Sequence, residues 1–166
     1  LIGGSGDDLI TGLAVDGDTL YFTGSTQSND FPLGSGTPFD NTRSTDSEDI
    51  SSGTPIGDMV IGKVTVPSSG SPSGYSATFF GCTSGCGTNQ GTIGLVINIY
   101  QPSCSAAKYL MVFGAREGSG TIPTQNIGNE LFYNNTNQGS IDLLITVMSE
   151  DLSTVPFATL AGGKYD

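Results

Sequence analysis

The chain reads as an all-β protein: two tandem four-stranded, propeller-like blades, about eight antiparallel strands in all, with long inter-strand loops. Three observations predict this. Hydrophobic residues make up 36% and charged residues only 13% of the 166 positions, and there are 25 glycines, a balance that suits short strands joined by many turns. Apolar runs of about five to seven residues, rich in β-branched and aromatic side chains, recur between Gly, Pro, Asn and Ser, which is a strand signature. The pattern is also written more than once. The opening Leu1-Ile2-Gly3-Gly4 is restated by Leu160-Ala161-Gly162-Gly163, with a degenerate copy, Phe79-Phe80-Gly81-Cys82, midway. No long window carries a 3.6-residue apolar period, and Gly or Pro interrupts nearly all of them.

The first run spans residues 9–15. Asp16-Gly17-Asp18 follows it and suits a tight turn, because Gly tolerates positive φ and Asp bonds its own backbone. Residues 19–23 therefore form the second strand of a hairpin. A long segment, 25–57, leads to the third run, 58–64, which opens on Asp58. A Pro, Ser and Gly connection at 67–74 precedes the fourth run, 75–80. The second half repeats the order at 93–99, 109–113, 142–147 and 156–160, with its own long segment, 115–140, in the corresponding place. The first repeat is thus residues 1–81 and the second, degenerate one 82–166. Insertions at one position per repeat map to one face of a repeat protein. Residues 110–113 and 143–145 are continuously apolar, as expected of strands covered on both faces.

Charge and residue content exclude several function classes. A net charge of −11 with five basic residues disfavours nucleic acid and anionic membranes, whose phosphates need clustered Lys and Arg. No apolar run approaches the ~18 residues of a membrane-spanning helix. The chain holds no His, so it lacks the ordinary Ser-His or Cys-His pair of nucleophilic catalysis. No phosphate-binding or dinucleotide motif occurs, and the expectation is a protein that is not an enzyme.

A few residues stand out as candidate sites. Cys82, Cys86 and Cys104 are disulfide candidates in any of their three pairings, with one cysteine left over. Asp7, Asp8, Asp16 and Asp18 are candidate calcium ligands, set against the simpler reading that they cap turns. Calcium is the only cofactor under consideration. Asn134 opens an Asn-Asn-Thr sequon at Asn134-Asn135-Thr136 and is a glycosylation candidate.

The run Gly3-Gly4-Ser5-Gly6-Asp7-Asp8, then Ala14-Val15-Asp16, Tyr21-Phe22-Thr23-Gly24-Ser25-Thr26 and Asp30-Phe31-Pro32, resembles the bacterial seven-bladed β-propeller repeat family. The closing strand of that repeat is similar to Tyr75–Gly81 here. The second half departs from it, with Gly81-Cys82-Thr83-Ser84-Gly85-Cys86-Gly87 in place of the glycine-aspartate run. The resemblance implies four-stranded blades in secreted or surface proteins, with no assigned catalytic residues.

Eight strands make two blades, fewer than the ~4–8 that close a ring, and two blades alone would leave both outer faces apolar and bare. The expected partners are therefore copies of the same chain, or further blades of it, with glycans as a further class. Leu1, Ile2, Gly3 and Gly4 read as the tail of a strand begun elsewhere, and Phe157, Ala158, Thr159 and Leu160 as its complete version. These are the candidate inter-subunit strand residues, and they suggest a processed or excised piece of a longer array. The expected function is a non-catalytic extracellular or cell-surface structural unit repeating head to tail in a filament or appendage. The alternative is part of a complete secreted propeller acting as an adhesin or glycan-binding module.

Overall fold

The computed structural model describes residues 2–44, 57–83, 91–118, 120–123, 136 and 141–162. Its strands are β1 (Asp8–Asp16), β2 (Thr19–Thr26), β3 (Asp58–Thr65), β4 (Ser73–Phe80), β5 (Gly91–Tyr100), β6 (Tyr109–Glu117), β7 (Ile141–Ser149) and β8 (Phe157–Ala161). They form two four-stranded sheets, ordered β1-β2-β3-β4 and β5-β6-β7-β8. All neighbouring pairs are antiparallel. Each predicted run coincides with one of these strands, and the long segments fall between the second and third strand of each sheet.

The sheets share one construction. The β1–β2 register shifts between Ile10 and Gly12, and the β5–β6 register shifts between Gly94 and Val96. Beside each bulge the second strand places a glycine. A Cβ on Gly24 would lie 1.8 Å from the Leu9 carbonyl oxygen, and one on Gly114 would lie 2.1 Å from that of Ile93. Only a residue without a side chain lets the bulged strand come so close. Each third strand carries a buried aspartate at or next to its start, Asp58 or Asp142. Each fourth strand is followed by a glycine, Gly81 or Gly162, backed against that carboxylate.

The main core lies between the sheets. Tyr21, Met59, Ile61 and Phe80 of the first interlock with Ile97, Leu110, Val112, Leu144, Met148, Ala158 and Leu160 of the second. Each fully buried side chain of this size contributes about 1.5–3 kcal/mol. Strand β5 is the closest approach, running against β1, β2 and β3. Gly94 abuts Thr23 and Met59, and the Thr11 hydroxyl donates to the Gly94 carbonyl.

The opposite face of the first sheet is not bare, which corrects one expectation. Phe22, Val60, Ala77 and Phe79 are buried there beneath Phe31, with Leu33 and Tyr75 packed beside them. Phe31 meets Phe79 edge-on at 6.4 Å, and Tyr75 stacks on Phe22 at 6.2 Å. The same segment then passes the outer edge of β4, where the Ala77 and Phe79 amides donate to the Leu33 and Asp40 carbonyls at 2.8 and 3.1 Å. It caps an edge that would otherwise offer unpaired backbone groups. Beyond the edge, Phe39 stacks on Phe80 at 6.3 Å, and its amide donates to the Leu152 carbonyl at 2.8 Å. Leu152 holds a φ of 64° in the turn after β7, a conformation that costs a residue with a side chain about 1–2 kcal/mol. Its complete burial offsets this.

Candidate functional site

The surface that stands out is the outer face of the second sheet. Along β6 and β7, alternate residues are buried towards the first sheet and the intervening ones face outward. Register sets the outward rows side by side. Val96, Phe113, Ile145 and Thr159 form one row, Asn98, Met111, Val147 and Phe157 the next, and Ala115, Leu143 and Ala161 a third, with only the Thr159 end of the first row buried. Val96 and Leu143 are 48% and 47% exposed, and Met111, Phe113, Ile145 and Val147 are half-buried. Contiguous apolar surface of this kind marks an interaction site. The apolar runs at 110–113 and 143–145 predict a second cover, and the described residues do not supply it.

At the first sheet, by contrast, the corresponding face is closed and reinforced by polar contacts. The Tyr21 hydroxyl donates to the Glu150 carboxylate at 2.7 Å, and Lys63 Nζ donates to the Glu150 carbonyl at 2.8 Å. Lys108 pairs with Asp16. Burial, then the Glu150 carboxylate, raises the Tyr21 phenol well above its ordinary value. The bond to Asp16 raises the Lys108 ammonium. Asp58 is more deeply enclosed. Burial pushes its carboxyl up, against the Ser44 hydroxyl and amide that pull it down, the amide donating at 2.6 Å.

The aspartates weighed as calcium ligands do not converge. Asp8 and Asp16 stand at opposite ends of the nine-residue β1, which rises about 3.3 Å per residue. Asp8 instead accepts from the Gly4 amide at 2.7 Å, from the Ser28 hydroxyl at 3.0 Å and from the Thr26 hydroxyl. Asp30 accepts from the Ser5 amide and hydroxyl at 2.7 and 2.9 Å. The Ser5 amide, then its hydroxyl, holds the Asp30 carboxyl below the usual carboxylate range. Among the described residues no three acids or cysteines come together as a metal site. Loop hydrogen bonds engage Asp8 and Asp30, and Asp16 pairs with Lys108 of the second sheet.

Those bonds also correct the reading of the N-terminus. Ile2, Gly3 and Gly4 form no strand, because Asp8 and Asp30 fold them into a loop over the end of β1. Leu1 lies outside the described residues. Phe157, Ala158, Thr159 and Leu160 do form a strand, paired within the chain to β7. Cys104 is corrected likewise: it is an exposed free thiol. It sits in the hairpin after Tyr100, at the far end of β5 from Cys82, whose neighbour Thr83 bonds Thr121 beyond β6. Ten residues of strand span about 30 Å, far beyond the ~7 Å a disulfide bridges between Cα atoms. Cys82 is buried. Cys86 and Asn134 lie outside the described residues.

A shallow recess lined by Leu33, Thr37, Pro38, Ser76 and Leu152 has about 10 Å³ of room, about enough for one water and far below an ordinary ligand pocket. No helix among the described residues is long and apolar enough to cross a membrane. The chain matches no family model, and searches of curated proteins and solved structures find nothing similar to it.

Proposed function

We propose that the chain is a non-catalytic structural unit of an extracellular or cell-surface assembly, in which copies stack head to tail. One observation carries this reading. The inward-turned face of the first sheet is buried beneath the second sheet, while the same-side face of the second sheet is apolar and is left partly exposed by the described residues. A two-sheet stack open on one side is stabilised by a further sheet laid on it, and repeat architectures grow in this way. A composition poor in charge and free of His, with Asp8 and Asp30 engaged in loops and Asp16 and Glu150 in inter-sheet contacts, suits a scaffold.

Sedimentation velocity and negative-stain microscopy test the reading. Elongated, concentration-dependent assemblies are the expected result. A monomer that stays monodisperse up to high concentration would overturn it.

A further inference from the structure

The two sheets can be superposed in register, and the superposition names both halves of the stacking contact. Leu13 faces Phe22 and Val15 faces Leu20, as Ile97 faces Val112 and Ile99 faces Leu110. On the other side of each sheet, Tyr21, Thr23, Met59 and Ile61 correspond to Met111, Phe113, Leu143 and Ile145, since Ser25 pairs Met59 and Thr23 pairs Ile61 as Ala115 pairs Leu143 and Phe113 pairs Ile145. Within the chain, Ile97 is 2% exposed in the cluster that holds Tyr21, Met59 and Ile61, and Ile99 packs against the same cluster. Their counterparts Leu13 and Val15 are bare, at 63% and 67% exposed. The loop that covers the rest of that face rests on Phe22, Val60, Ala77 and Phe79 and leaves Leu13 and Val15 exposed.

We propose that Leu13 and Val15 of one copy dock on the outer face of the second sheet of the next copy, against Val96, Met111, Phe113, Leu143 and Ile145. This rests on the structural reading above and assigns its surface. The occupant is a second copy because one molecule carries both halves of a contact it already makes once internally. The halves lie on opposite outer sides of the two-sheet stack, so a molecule cannot satisfy its own. Such a contact is heterologous and propagates from copy to copy. Where the internal contact sets Asp16 beside Lys108, the iterated one sets Tyr100 beside Asp18, so at that point no like charges meet.

Two complementary variants test the surface. Leu13→Asp spoils the inserting strip, and Leu143→Asp spoils the receiving face, with Val96→Asp as a second variant there. All three positions are exposed, so circular dichroism melts should stay within a few degrees of wild type. In sedimentation velocity each variant alone is expected to remain monomeric while the wild type assembles. An equimolar mixture of Leu13→Asp with Leu143→Asp should give 1:1 dimers and nothing larger, because one intact strip meets one intact face. If the wild type assembles and the variants assemble equally well, or their mixture forms no dimer, this surface is wrong and head-to-tail stacking stands. A wild type that never assembles overturns both.

Discussion

Replacing Phe31 with alanine tests whether the segment after β2 is part of the core. Phe31 is 4% exposed and meets Phe79 edge-on. Truncating a buried phenylalanine removes its transfer free energy and leaves a cavity, together about 3–5 kcal/mol. The aromatic pair accounts for roughly 0.5–1.5 kcal/mol of that. Against a total stability of order 5–15 kcal/mol, the denaturation midpoint should fall by about a fifth or more at unchanged slope. A second readout is local. The Ala77 and Phe79 amides donate to carbonyls of this segment, so their hydrogen exchange should accelerate beyond that of amides bonded between β2 and β3. A loss under about 1 kcal/mol, with both amides still protected, would refute the idea that Phe31 pins a structural cover.

Gly24→Ala forces a Cβ into the Leu9 carbonyl. It should cost about 2 kcal/mol or more in chemical denaturation, whereas alanine at the unobstructed turn residue Gly17, with φ of 58°, should cost about 1 kcal/mol. Because burial raises the Asp58 carboxyl, the folded state holds that proton more tightly than the unfolded chain. Its stabilisation is present below the ordinary carboxylate range and is lost as pH rises through the raised value. Asp58→Asn should flatten that decline in a melting-temperature series across acidic pH. Cys104 should take up one equivalent of maleimide on the native, unreduced protein, and Cys104→Ser should shift stability by less than about 0.5 kcal/mol.

The strands were legible because their sequences carry both composition and punctuation: residues 19–23 and 109–113 are β-branched and aromatic runs closed by glycine. Their partners were legible from order alone, since a hairpin turn and matched insertions leave few ways to arrange two similar halves. Phe31 and Phe39 were not legible. They sit among Ser, Gly, Pro and Asp with no periodicity, so nothing local says that they pin a loop to a sheet. The candidate assembly face was half legible. Apolar runs at 110–113 and 143–145 announce two covered sides, but which side the chain itself covers depends on the bulges at Gly12 and Gly94, which set the faces. Reading residues 1–4 as the tail of a strand met a similar obstacle, whereas Phe157–Ala161 do form a strand. The repeated Gly-Gly pattern is real, yet at the N-terminus Asp8 and Asp30 decide its conformation.

Cations are scarce in this chain, and those described are already engaged. Lys63 and Lys108 bind one sheet to the other, Arg43 donates to Asn29 at 2.9 Å, and Arg116 is buried beside Thr92. With a net charge of −11, the remaining exterior is a nearly single-signed colloid surface. In dilute buffer such particles hold one another at a distance set by a screening length of about 10 Å at 0.1 M ionic strength, so sideways clumping is suppressed. Ordinary electrolyte then becomes the control on how closely molecules of this protein approach one another, without any change in the protein itself.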